Sequence, residues 1–206
     1  MPISINGLGV LSDDEYHAVA PKNLYDEMLS LPNGGRLFMG ETPDAECLWM
    51  NQTLRLVEAA DRGRSSLVTT DRFDVRVDLY CHNLEAAEGV MEYRIPLSDN
   101  EIARWDKNAW LDLADAVFFT FDALAKGERV LVNCQAGLNR SGLVTALALI
   151  AYGYSPENAI EQIRSKRSRI CLANGSFEHF LLTRGAVFAK AAIDHPDDLP
   201  IPEPTP

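Results

Sequence analysis

The chain has 206 residues, 47% hydrophobic and 24% charged, ordinary globular values that exclude a wholly disordered or fibrous protein. Thirty acidic residues against 19 basic give a net charge of −11, which repels nucleic acid and anionic membrane unless the few basic residues cluster. No apolar run approaches the roughly 18 residues that cross a bilayer, and the first residues, MPISINGLGVLSDDEYHAV, lack the basic flank of a secretory signal. The expected location is the cytoplasm. There Cys47, Cys81, Cys134 and Cys171 should be thiols, since they show no CxxC and no Cys/His spacing suited to zinc. Neither metal nor cofactor is expected.

In chain order, Leu24, Met28 and Leu31 stand at helical spacing and predict a helix within an N-terminal extension, residues 1–35, packed on the domain. Residues 36–40 (RLFMG) form a short apolar strand that opens the core. Residues 44–60 predict a helix, and residues 66–70 and 73–81 two strands. In the second strand Val75, Val77 and Leu79 alternate with Asp74, Arg76, Asp78 and Tyr80. Residues 91–97 make a further strand that contains Pro96.

Residues 108–126 are the clearest helix, with Trp110, Leu113, Val117, Phe118, Phe121 and Leu124 in one broad stripe ended by Gly127. Residues 129–133 (RVLVN) read as a buried strand and 143–152 as a helix apolar on nearly every side. Ser155 and Pro156 start another helix that runs to about Lys166, and residues 177–193 form the last. Strands alternating with helices argue for an α/β domain with helices on the sheet, over residues 36–193. The tail 194–206 has five prolines in its last twelve residues and reads as polar and extended.

The chemistry concentrates in VLVNCQAGLNRSG, residues 130–142: a buried strand, a loop and an apolar helix. Loop N–H groups and a helix N-terminus converging in this way form an anion site. Gly137 permits a turn that a side chain would obstruct, and Arg140 offers a planar fork for two phosphate oxygens. Cys134 stands where the same groups would stabilise a thiolate. Asp99, in the turn PLSDN, reads from composition alone as turn chemistry.

CQAGLNRSG resembles the HCxxGxxRS signature loop of the cysteine-dependent protein tyrosine phosphatases, in their dual-specificity branch. RLFMG resembles that family's opening strand, YRIPLSDN (93–100) the strand and turn carrying its general acid, and IRSKRS…ANGSFEHFLL (163–182) its closing helices. The resemblance implies a three-layer protein tyrosine phosphatase-like fold with a central mixed sheet. It also implies a phosphocysteine mechanism with Cys134 as nucleophile and Arg140 and the loop 135–139 (Gln135, Ala136, Gly137, Leu138, Asn139) as the phosphate cradle. Asp99 becomes the general acid and base, Ser141 the donor to the departing sulfur, and Asn174 a support behind the loop. Asp106 and Asp112 are weaker candidates for the acid. Cys81 lies in a place resembling that of a second cysteine able to pair reversibly with an oxidised nucleophile.

One departure is Asn133, where the family has His. An Asn amide can donate a bond similar to the one the imidazole makes to the loop backbone, but it cannot carry charge, and a slower enzyme is expected. The variable loop positions hold no lysine, which favours a phosphorylated protein or peptide substrate over a phosphoinositide, and the net charge disfavours an RNA 5′ end. A low-activity phosphate-binding module and a thiol redox protein are the other classes. Arg62, Arg64, Arg72 and Arg76 form one basic cluster, before and within the strand region, and Arg164, Lys166, Arg167 and Arg169 a second near a helix end. Bordering the cleft to draw in anionic substrate is the functional reading of either, and a solvated helix C-terminus the leading one.

Overall fold

A computed structural model describes residues 3–5, 9–11, 21, 23–42, 73–81, 89–194 and 199–201. A short antiparallel ribbon joins β1 (Ile3–Ile5) to β2 (Gly9–Leu11). The main sheet contains β3 (Tyr25–Ser30), β4 (Arg36–Glu41), β5 (Val75–Asp78), β6 (Met91–Arg94) and β7 (Arg129–Cys134) in the order β3-β4-β7-β5-β6. Only β3 runs antiparallel to its neighbour, so the sheet is mixed. Four helices follow: α1 (Lys107–Ala125), α2 (Arg140–Ala151), α3 (Pro156–Lys166) and α4 (Gly175–Asp194).

Strands buried on both faces need apolar residues on both, and β4 and β7 have them. Leu37, Met39, Val130 and Val132 join the large core under the helices, while Phe38 and Leu131, one residue out of phase, belong to a separate cluster with Tyr25. Phe73 meets Tyr25 and Phe38 edge-on at 4.9 and 5.2 Å between ring centres. Helix α2 packs on β7, β4 and the three other helices, and every residue from Ser141 to Ile150 is buried. Its apolar composition on all sides follows from that central place. Local signals set the helix ends. The Asp106 carboxylate accepts from the Ala109 N–H at 2.9 Å at the start of α1, and Gly127 closes it with φ +83°. Ser155 caps α3, with Pro156 in the first turn. Among the described residues no helix is long and apolar enough to cross a membrane.

Several expectations need correction. Leu24, Met28 and Leu31 do not form a helix: residues 25–30 are the edge strand β3. A register shift between Glu27 and Leu29 breaks the strand's two-residue period, and the apolar spacing then imitates a helix. Of the polar residues of the second predicted strand, Asp74 is exposed but Arg76 and Asp78 are buried beside apolar Val75 and Val77. Phe118 lies at the edge of the α1 stripe and is 36% exposed. In the tail, Leu199 and Ile201 pack against the core, so that stretch is not simply solvated. The predicted helix 44–60, the strand 66–70, and Cys47, Arg62, Arg64 and Arg72 lie outside the described residues.

Candidate active site

Cys134 is the last residue of β7, inside the sheet with Glu41 of β4 as its register partner. It is 2% exposed, and its Sγ lies 3.3 Å from the Ser141 Oγ in the first turn of α2. The connecting loop turns at Gly137, where φ is +63°. A Cβ there would stand 2.4 Å from the Gly40 carbonyl carbon and 2.5 Å from the Glu41 nitrogen, both backbone atoms. Glycine is therefore required by space as well as by φ.

Four carbonyls between Cys134 and Asn139 are engaged by the surrounding protein. Cys134 O accepts from the Thr42 N–H at 2.7 Å, Leu138 O from the Leu172 N–H at 3.2 Å and Asn139 O from the Leu143 N–H at 2.8 Å. Gly137 O accepts from Arg167 Nε at 2.6 Å. Among the described residues, no backbone N–H from Gln135 to Asn139 donates to a protein acceptor. Arg140 donates through Nη1 to the Leu97 carbonyl at 3.3 Å, and its guanidinium carbon lies 5.2 Å from the centre of the Tyr80 ring. Its Nε is buried without a partner. Unengaged donors beside a thiol are what an oxyanion requires.

Asp99 is exposed and held over this loop. Its Oδ2 accepts from Asn139 Nδ2 at 3.3 Å. Asn174 Nδ2 donates to its backbone carbonyl at 3.1 Å and to Oδ1 at 3.4 Å. The Asn174 N–H in turn donates to Asn139 Oδ1 at 3.1 Å, and Asn174 Oδ1 accepts from the Ser176 N–H and hydroxyl at 3.1 and 2.7 Å. Asn174 thus stands between the acid turn and the loop rather than behind it, at the start of α4. Asn139 turns its side chain to Asp99 and Asn174. Asp106 caps α1. Asp112 lies on α1, where partial burial, with Asp115 and Asp106 nearby, pushes its carboxyl up; neither has a hydrogen bond to the loop.

Asn133 is fully buried. Its Oδ1 accepts from Arg76 Nε at 2.8 Å, and its Nδ2 donates to Asp78 Oδ1 at 2.9 Å and Thr42 Oγ1 at 3.2 Å. The bond expected toward the loop backbone goes instead to these side chains. Arg76, 3% exposed, also donates to Asp78 Oδ2 at 3.0 Å and Glu92 Oε1 at 2.7 Å. Cys81 and Cys134 are both free thiols. The Cys81 thiol donates to the Asp78 carbonyl at 3.5 Å, and burial, then Asp78, push its pKa up. Burial pushes the Cys171 thiol up to about 12.

The basic cluster at the end of α3 is only in part a solvated helix end: Lys166 and Arg169 are exposed, but Arg164 is half-buried and Arg167 buried. Arg164 pairs with Glu178 at 2.8 Å and donates to the carbonyls of Cys171 and Leu172. The Arg167 side chain is wholly buried and pairs with Asp26 at 2.9 Å. Sequence reasoning missed Arg167 and the site-side role of Arg76, because charge spacing alone does not tell a buried arginine from a solvated one. Among the described residues no group of three or more His, Cys, Asp or Glu could hold a metal ion.

Comparison with known proteins identifies the family and the fold. The catalytic domain of the dual specificity phosphatases matches residues 56–184. Human protein tyrosine phosphatase type IVA 3 is 47% identical over 58 residues, 28% of this chain and 31% of the relative; the mouse protein is 45% identical over the same length. The chain thus matches about three-tenths of the length of these curated relatives. Among solved structures, a mouse putative dual specificity phosphatase complexed with zinc tungstate has a TM-score of 0.57 at 21% identity, covering 92% of this chain and 99% of that one. The tyrosine phosphatase OH1 from the Orf virus gives 0.56 at 18%, covering 82% and 90%. PTPMT1 gives 0.53 at 22%, covering 81% and 99%. At these identities the structures speak for the fold, a three-layer α/β arrangement. The chain belongs to the dual specificity phosphatases, within the cysteine-dependent protein tyrosine phosphatase superfamily.

Proposed function

We propose that this chain hydrolyses phosphomonoesters, chiefly phosphotyrosine on proteins or peptides, through a phosphocysteine intermediate on Cys134. The observation that carries the reading is the buried Cys134 Sγ beside the Ser141 hydroxyl, at a loop whose N–H groups and Arg140 Nε have no protein acceptor. The Cys134 thiolate attacks phosphorus; the S–P bond forms as the bond to the ester oxygen breaks. Arg140 and the loop N–H groups take the charge on the non-bridging oxygens. Asp99 gives its proton to the leaving oxygen, then accepts one from the water that attacks phosphorus. The S–P bond breaks, phosphate departs, and the Ser141 hydroxyl donates to the sulfur left as thiolate. Arg140 and the amides handle the phosphoryl charge, so no metal is called for.

The loop side chains Gln135, Ala136, Leu138 and Asn139 carry no positive charge, which supports a singly phosphorylated protein side chain over a multiply charged headgroup. Among the similar structures, PTPMT1 has also been solved in complex with PI(5)P, so the lipid is the comparison substrate. The test is metal-free hydrolysis of para-nitrophenyl phosphate by wild type, Cys134→Ser and Asp99→Asn. A phosphotyrosine peptide and PI(5)P in vesicles follow. Expected are loss of turnover in Cys134→Ser and preference for the peptide. Turnover that survives Cys134→Ser refutes the site, and preference for PI(5)P refutes the substrate class. Vanadate binding by an inactive wild type would leave a binding module.

A further inference from the structure

We propose that Arg167 is a positioning residue for phosphate binding, and that its ion pair with Asp26 makes the edge strand β3 part of the same apparatus. The proposal rests on the phosphatase reading above and extends it to residues outside the loop.

Arg167 follows α3 and its side chain is wholly buried. Apart from Asp26 Oδ2 at 2.9 Å, it has two recorded acceptors: the Gly137 carbonyl at 2.6 Å from Nε and the Asn23 carbonyl at 3.4 Å from Nη1. Its Nη2 is buried without a partner. An apolar side chain would fill the same space without the desolvation cost of an incompletely paired guanidinium. What the arginine adds is a hold on one peptide group.

A trans peptide points its C=O and the following N–H in opposite directions. With the Gly137 carbonyl fixed outward on Arg167, the Leu138 N–H must face the opposite side, where the loop surrounds the position of a phosphoryl group. This peptide most needs such a hold, because glycine adopts φ of either sign at little cost. Rotated by half a turn, the same peptide would present its carbonyl oxygen to the phosphate and repel it. The next peptide is held by a backbone donor, Leu172 N–H to Leu138 O at 3.2 Å, which turns the Asn139 N–H inward. Arg167 therefore does with a side chain what Leu172 does with its backbone. Asp26, 141 residues away in sequence, sets the guanidinium's position; its other oxygen accepts from Asn23 Nδ2 at 2.7 Å.

The test compares wild type, Arg167→Gln and Asp26→Asn by the inhibition constant of orthovanadate, kcat/KM on para-nitrophenyl phosphate, and thermal melting. In Arg167→Gln the vanadate constant should rise about tenfold or more, the worth of one hydrogen bond to a charged acceptor, and kcat/KM should fall with it. Asp26→Asn should show a smaller change in the same direction. A purely structural role would lower the melting temperatures and leave vanadate affinity of the folded protein intact. Vanadate constants within about twofold of wild type in both folded variants overturn the proposal. If Arg167→Gln does not melt cooperatively, Asp26→Asn decides alone by the same criterion. A wild type that neither turns over nor binds vanadate refutes the phosphatase reading and this proposal together, whereas active wild type with unchanged variants refutes this proposal alone.

Discussion

Asn133 occupies the position where the family resemblance leads one to expect His, and its surroundings explain how an amide serves there. Arg76 donates to its oxygen while its nitrogen donates to Asp78 and Thr42, so only one orientation of the amide satisfies every partner. Arg76 also neutralises a wholly buried Asp78 carboxylate. Replacing it by Gln leaves that charge uncompensated and should cost about 3–5 kcal/mol in chemical denaturation; a loss below about 1 kcal/mol would show that Asp78 finds another partner. At Asp99 the effect belongs to rate. Asp99→Asn should lower kcat by about 10²–10⁴-fold on an alkyl phosphate, whose leaving oxygen needs the proton, and by less on para-nitrophenyl phosphate. Equal losses on both substrates would remove it as the general acid. Cys134, Arg140 and Asp99 were legible because each sits in a contiguous motif. Arg76 and Arg167 were not: Arg76 has Asp78 two residues away, but its link to the site is Asn133, 57 residues on, and Asp26 lies 141 residues from Arg167.

At the scale of elements, the site is the junction between a middle strand and a helix buried on all sides, with little freedom for the loop between. Gly137→Ala tests that rigidity. The methyl group would clash with the Gly40 and Glu41 backbone, well inside van der Waals contact, and the left-handed φ adds roughly 1–2 kcal/mol for an L-residue. A large loss of vanadate affinity is expected, and unchanged affinity would mean the loop relaxes freely. Beneath the loop, the Cys171 thiol is held neutral up to about 12, against an ordinary value of 9.0. The folded chain thus binds that proton more tightly than the unfolded chain. The associated stability is complete below pH 9.0 and is lost as pH rises toward about 12. Cys171→Ala should flatten the fall of melting temperature in that window, and an identical slope would contradict the burial. The regular helices were legible to within a few residues because their caps and stripes are local. Strand β3 was not, because its bulge disguised the two-residue period.

Over the whole molecule, a sheet with helices on it was legible from alternating patterns and its mixed character only from the family resemblance, whereas strand order was not legible, because pairings such as β4 with β7 join residues nearly a hundred positions apart. The net charge of −11 acts at this scale on substrate approach. Because salt screens charges over about 10 Å at 0.1 M, kcat/KM for an acidic phosphotyrosine peptide should rise between low salt and about 0.15 M. A fall would mean that the local positive site outweighs the molecule's field. The central claim, that phosphate passes through sulfur on Cys134, is tested most directly by trapping the intermediate. Wild type mixed with excess substrate and quenched in acid should yield a phosphorylated peptide containing Cys134, absent from Cys134→Ser. Turnover with no label on Cys134, or label on another residue, would contradict the account.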